Sequence, residues 1–370
     1  MSNKPIFVTR PNLPPLAEFI PYLEEIWENK QLTNNGPMHQ QLEKALCKYL
    51  GVRYICLFNN GTIALQTAVQ ALELSGEVIT TPYSFVATSH SLVLNGLKPV
   101  FVDIDPITLN LDPSKIEAAI TPETTAIMPV HCYGNPCDVN AIEAIAKKHN
   151  LKVIYDAAHA FGVEDDQGSV LRHGDLSVLS FHATKVFNTF EGGAIICSSK
   201  EMKERIERLK NFGYENELTI NTIGSNGKMS EVNAAFGLLQ LNYMEKFLSG
   251  RSRVNSYYHK NLSSIDGITI VPSAGQKTSN YSYFPILIED AYPLSRDELD
   301  ELLKANNIIA RRYFYPIISE FNVYKKNTFF VNHDTAVALN ISHKVLCLPM
   351  YPELDESDLE RIVGLIRSAA

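Results

Sequence analysis

No run in this 370-residue chain is long and apolar enough to cross a bilayer, and the opening Met1-Ser-Asn-Lys-Pro-Ile-Phe-Val-Thr-Arg10 lacks the apolar stretch of a signal peptide. A cytoplasmic protein without a membrane partner is expected. Positive charge is also short: the formal net charge of -8 argues against a nucleic-acid partner, so any anionic ligand must be held by local positive charge. There is no Walker sequence and no Gly-x-Gly-x-x-Gly turn, which disfavours nucleoside triphosphates and dinucleotides. Cysteines stand at 47, 56, 132, 137, 197 and 347, a scatter that suits reduced thiols packed as small apolar groups. His131 adjoins Cys132, yet the Cys-x-x-Cys spacing and a second ligand pair are both missing, so no metal is expected.

What is present is an ordinary globular composition, 45% hydrophobic and 20% charged, in a chain longer than the roughly 250 to 300 residues at which single cores stop growing. Two domains are expected, divided near Gly250 into residues 1–249 and 250–370. Seven short apolar runs read as strands buried on both faces: 54–58, 77–80, 99–102, 126–130, 152–155, 177–181 and 194–197. Helical spacing fills 62–74, 84–95, 112–119 and 138–149 between them, which makes the first part an α/β sheet, mostly parallel. The last two strands are joined only through the short stretch around Lys185, too short for a crossover helix, so one of them must be antiparallel. Beyond residue 200 the texture is more helical, with a long helix expected at 230–247 and another beginning near Gly250. Strands are then expected at 268–271, 282–288 and 308–310, an exposed loop at 275–280, and a closing helix at 356–368.

Lys185 follows the strand through Ser180-Phe-His-Ala-Thr and precedes the turn Glu191-Gly-Gly193. An amine at the end of a buried strand loses solvation, which favours its neutral, imine-forming state; a solvated hairpin lysine is the bland alternative. Asp156 closes another apolar run, at the sheet edge where open α/β folds build their sites. It is suited to pairing with a pyridinium nitrogen, or merely to capping the next helix. His159 follows it, either orienting that carboxylate or contacting a cofactor oxygen, or serving as a structural histidine. Asn59-Asn-Gly-Thr62 links a strand to a helix, so its amides and the Thr62 hydroxyl suit an anion, or else Thr62 is a plain N-cap. In Pro82-Tyr-Ser-Phe-Val-Ala-Thr88, Tyr83 or Phe85 either covers a cofactor face or anchors the core.

These stretches, with Tyr155-Asp-Ala-Ala-His-Ala-Phe-Gly162 and Glu231-Val-Asn-Ala-Ala-Phe-Gly237, resemble the nucleotide-sugar aminotransferases over essentially the whole chain. Those are fold-type I enzymes dependent on pyridoxal 5'-phosphate (PLP) that make amino sugars for lipopolysaccharide and antibiotics. The resemblance implies a large PLP-binding domain at 1–249, including an N-terminal arm and helix, and a smaller C-terminal α+β domain. It implies that Lys185 forms the imine with the cofactor and shuttles the proton, and that Asp156 pairs with the pyridine nitrogen. Gly61, Thr62 and Ser180 would hold the phosphate, Phe85 would stack on the ring, and His159 would stand near the cofactor hydroxyl. Asn233 would reach the phosphate from the neighbouring subunit of a homodimer with shared active sites. Ala310-Arg-Arg-Tyr-Phe-Tyr-Pro316 resembles the family's substrate-meeting segment, which makes Arg312 a partner for the diphosphate, or one of a surface pair, with Tyr313 and Tyr315 beside it.

Relatives with histidine at the lysine position are dehydratases, so Lys185 favours amino transfer. Val8-Thr-Arg-Pro-Asn-Leu-Pro-Pro15, Trp27 and Leu32-Thr-Asn-Asn-Gly36 look like the branch that aminates dTDP-linked 4-keto-6-deoxyglucose at C4 with glutamate as donor. Enzymes acting at C3 of a dTDP-3-keto-6-deoxyhexose share Phe181-His-Ala-Thr-Lys185, and the ring position attacked stays open at this level. A non-catalytic binding protein for PLP or a nucleotide sugar, and a cofactor-free lysine aldolase, are the rivals from other classes.

Overall fold

The computed structural model describes residues 4–273, 275–326 and 330–370. Its centre is an eight-stranded sheet in the order Val331–Asn332, Lys98–Phe101, Glu77–Thr80, Thr124–Met128, Lys152–Asp156, Leu176–Ser180, Gly193–Cys197, Tyr54–Phe58. All seven strands expected between residues 51 and 197 are there. Neighbours are parallel except Gly193–Cys197, which runs antiparallel to both of its partners, as the short connection through Lys185 requires.

The unbroken apolar runs arise because each strand serves two cores at once. Ile55, Leu57, Leu179 and Ile196 face a core that includes Phe19, Leu42 and Phe236. Their chain neighbours Cys56, Phe58, Val178 and Ile195 face the opposite one, with Leu65 and Val69 of helix Gly61–Ala71.

A second, three-stranded antiparallel sheet orders Ile268–Ile270, Phe284–Ile288 and Val345–Leu348, and its core takes in Leu299, Leu303, Leu359 and Ile362 from helices Arg296–Ala305 and Glu356–Ser368. Helix Met244–Leu262 belongs to both regions. Its Met244 and Phe247 pack in the first core and its Val254, Tyr258 and Leu262 in the last, so Gly250 lies inside the helix, between the two sets. The chain also crosses back twice: Ile6–Phe7 pairs with Ile308–Ile309, and Val331–Asn332 joins the edge of the large sheet.

Two expectations are corrected, at 230–247 and 275–280, and one strand carries no signal in the sequence. The helix expected at 230–247 is two, Glu231–Leu241 and Met244–Leu262, because the amides of Asn242 and Tyr243 bond carbonyls three residues back and turn the chain. Val345–Leu348 is a strand that follows helix Ala336–Lys344 directly, with no glycine or proline to mark the change. The 275–280 loop is exposed only in part: Asn280 is buried and its Nδ2 donates to the carbonyls of His159 and Phe161 at 2.8 and 3.0 Å.

Candidate active site

The carboxyl ends of Tyr54–Phe58, Lys152–Asp156 and Leu176–Ser180 come to one edge of the large sheet, where Gly193 begins the antiparallel strand. That edge opens on a cavity of about 300 Å³. Gly61, Thr62, Phe85, Asp156, His159, Ser180, Lys185 and Tyr313 all line it, whereas Asn233, Arg312 and Tyr315 do not.

The anion cradle is built from a cap and two close approaches. Asn60, rather than Thr62, is the N-cap: its Oδ1 accepts the Ile63 amide at 2.8 Å. The amides of Gly61 and Thr62 in the first turn are thereby left for a ligand at the positive end of the helix dipole. A Cβ on Gly61 would come within 3.1 Å of the Ser180 Cβ, and one on Gly193 within 2.7 Å of the Gly61 nitrogen. Both glycines let backbone and the Ser180 side chain crowd round one small space.

Asp156 is buried, and burial pushes its carboxyl up; the Thr88 hydroxyl, the Ala158 amide and the nearby Lys185 pull it back toward the ionised form. Thr88 Oγ1 donates to Oδ2 at 2.8 Å and the Ala158 amide to Oδ1 at 3.1 Å. Because that hydroxyl hydrogen is committed to Asp156, Ser84 Oγ, 2.8 Å away, must donate to Thr88. In the sequence Thr88 and Ser84 stand out only as neighbours of aromatic rings. Their polar role depends on a contact spanning 68 residues.

The Lys185 amine shares the cavity. Burial lowers it from the ordinary lysine value to about 8, opposed by the charge of Asp156. Among the described residues no hydrogen bond or ion pair occupies its Nζ, so the amine is available to a ligand. His159 is driven well below the usual imidazole value by burial and then by Lys185, so it is neutral. Its Nδ1 accepts the Tyr133 amide at 3.2 Å, which places the ring hydrogen on Nε2. Phe85, 61% exposed, presents its ring at the cavity.

The remaining candidates are engaged elsewhere. Asn233 Nδ2 donates to the Thr189 and Glu191 carbonyls at 2.6 and 2.8 Å, bracing the turn before Gly193. Arg312 binds Asp297 at 2.9 Å and lies 3.6 Å from Asp300, and Tyr315 lies against the guanidinium groups of Arg296 and Arg312.

An unoccupied amine, a carboxylate held by two donors, free helix amides and a neutral imidazole donor together fit the aldehyde, ring nitrogen, phosphate and phenolic oxygen of PLP. Among the described residues no group of three His, Cys, Asp or Glu side chains converges to hold a metal ion, and no helix is long and apolar enough to cross a membrane.

The chain is 72% identical over 365 residues to the dTDP-4-amino-4,6-dideoxy-D-glucose transaminase of Shigella dysenteriae, covering 99% of each chain. It is 54% identical to the transaminase of the same name from Escherichia coli, again over 99% of both. The crystal structure of DesI with its TDP-sugar product superposes with a TM-score of 0.94 at 34% identity, over 99% of this chain and 93% of the other. The profile of the DegT/DnrJ/EryC1/StrS aminotransferases matches residues 16–367, and the chain belongs to that family.

Proposed function

We propose that this PLP-dependent enzyme transfers the amino group of glutamate to the ketone of dTDP-linked 4-keto-6-deoxyglucose, giving dTDP-4-amino-4,6-dideoxyglucose. The observation that carries the reading is the convergence of Lys185, Asp156 and the Asn60–Thr62 cradle on one cavity, in a chain so similar to transaminases named for that product.

When bound, PLP supplies an aldehyde to accept the amino group and an electron-withdrawing ring. The protein's residues do the rest. Gly61 and Thr62 offer amides and Ser180 a hydroxyl to the phosphate. Asp156 accepts a hydrogen bond from a protonated ring nitrogen, held in place by Thr88 and Ala158. His159 donates from Nε2 to an oxygen of the cofactor. Lys185 Nζ, with its pKa near 8, takes up and returns a proton beside the reacting carbon, where proximity supplies much of the acceleration.

The same reading extends to parts of the protein further from the cavity. Two subunits share their sites, Asn233 acting toward its partner through the turn that it braces. Arg312 meets the diphosphate by exchanging Asp297 for phosphate oxygens, with Tyr315 beside it and Tyr313 beside the sugar. Residues 1–249 carry the cofactor and 250–370 form the smaller domain. The cytoplasm is the place of action, a reading supported by six free cysteines.

The test is product analysis. Purified protein with PLP, glutamate and dTDP-4-keto-6-deoxyglucose should release 2-oxoglutarate and yield an amino sugar whose NMR spectrum places nitrogen at C4. No product from this sugar, with amination of a dTDP-3-keto-6-deoxyhexose instead, would transfer the enzyme to the other branch. Yellow protein that keeps its colour with glutamate would reduce it to a binding module.

A further inference from the structure

Two buried tyrosine hydroxyls behind the cavity end in a single backbone acceptor. Tyr83 Oη and Tyr133 Oη lie 2.7 Å apart, Tyr133 Oη donates to the Tyr313 carbonyl, and Tyr83 Oη also reaches that carbonyl at 3.3 Å. Each hydroxyl has one hydrogen. With Tyr133 donating to the carbonyl, Tyr83 must donate to Tyr133, so the two form an ordered relay whose end is Tyr313.

The carbonyl belongs to a wall of the site. Tyr313, Phe314 and Tyr283 line the cavity with Lys185. The Phe314 ring lies parallel to His159, with centroids 6.1 Å apart at 4°, and parallel to Tyr133 at 6.1 Å and 7°. It stands edge-on to Tyr83 at 5.6 Å. Tyr133 also gives its backbone amide to His159 Nδ1. One residue thus touches both the imidazole from the large sheet and the segment that arrives from residues 310–316.

We infer that Tyr133, backed by Tyr83, is a positioning residue that sets the Tyr313–Phe314 wall against His159 and so determines the fit of the sugar ring, not that of the nucleotide. This rests on the proposed sugar amination. The wall is aromatic, which suits the apolar face of a deoxy sugar, and it shares its cavity with the amine that must reach the sugar carbon. The relay predicts an unequal response to substitution. Without the Tyr83 hydroxyl, Tyr133 still donates to the carbonyl; without the Tyr133 hydroxyl, Tyr83 can donate in its place; without both, the part-buried carbonyl keeps only the weak Cys347 thiol donor at 3.9 Å.

The experiment uses holoenzyme of the native sequence, Tyr83→Phe, Tyr133→Phe and the double variant. Calorimetry measures the dissociation constants of dTDP and of the dTDP-amino sugar, and steady-state kinetics gives KM for the keto sugar. Each single variant should weaken amino-sugar binding and raise KM by about 2- to 4-fold, and the double by more than the product of the singles, roughly 20-fold or beyond. Affinity for dTDP should stay within about twofold, since Arg312, assigned to the diphosphate, lies outside the cavity that the wall lines. Strictly multiplicative effects, or equal weakening of dTDP and the amino sugar, would overturn the inference. If the double variant does not fold, a Tyr133→Phe KM equal to the native one serves the same purpose. Failure of the native protein to aminate the sugar at all would instead strike the functional proposal.

Discussion

Two lysines stand at the ends of neighbouring stretches of the large region, and they live opposite lives. Lys210, 3% exposed, is bound to the Leu57 carbonyl at 3.1 Å and to Glu207 at 2.7 Å, and lies 5.7 Å from the Phe58 ring centre. Lys185 opens on a cavity with Asp156 nearby and no partner on its amine among the described residues. The first is a cation whose charge has been answered, so it fastens a strand to a helix. In the second, lost solvation is repaid only in part, by the charge of Asp156, and the neutral amine comes within reach of ordinary pH. Burial alone therefore does not mark a reactive lysine: Lys210 is the more buried of the two, and half-buried Lys185 is the one whose amine lacks a partner among the described residues.

The comparison breaks most sharply at Lys185 itself. Lys185→Arg keeps a cation of similar length but has no accessible neutral form, and should lower turnover by at least about 1000-fold with the melting temperature little changed. Turnover within tenfold of native would show that Lys185 is another fastening lysine. Next in size is the converse change. Lys210→Met leaves the Leu57 carbonyl and Glu207 unanswered and should cost about 1 to 3 kcal/mol in urea unfolding, with turnover per folded molecule kept within about twofold. A catalytic loss without a stability loss would erase the contrast. The smallest effect is a pH dependence of stability in cofactor-free protein. The folded Lys185 pKa, about 8, lies below its unfolded value, so between the two the unfolded chain binds more protons. The penalty is then complete below about pH 8 and is relieved as pH rises toward 10.5. The difference in unfolding free energy between native and Lys185→Met proteins should shift in favour of the native as pH rises across that window. A flat difference would mean that the amine is solvated.

Much of this contrast could be read before any coordinates. Asp156 and Lys185 are conspicuous because each charged group follows an unbroken apolar run, and such runs leave their last residues at a sheet edge. Asn59-Asn-Gly-Thr62 shows itself likewise, as the joint between a strand and a helix. The sequence left Thr62 open as an anion ligand or a cap, because Asn60 and Thr62 are both competent caps and only backbone geometry picks one, here Asn60. Thr88 and Ser84 were visible as residues but not as partners of Asp156, and nothing about Tyr133 announced that its amide would orient His159. Arg312 and Asn233 illustrate the reverse difficulty: their residue types suit phosphate, while their present contacts are with Asp297 and with two carbonyls of a turn.

Local sequence by itself determined the seven strands between residues 54 and 197 and the helices between them, the antiparallel member next to Lys185 and the motif set that marks the family, because apolar runs, helical spacing and short connections act over a few residues. Tertiary structure alone decided the wiring of the site: the bond from Thr88 to Asp156, the tautomer of His159, and the double tyrosine hold on Tyr313. Those contacts join residues far apart in the chain, and which of them meet is set by the order of strands in the sheet and by the return of the 310–316 segment to its edge, neither of which leaves a periodic trace.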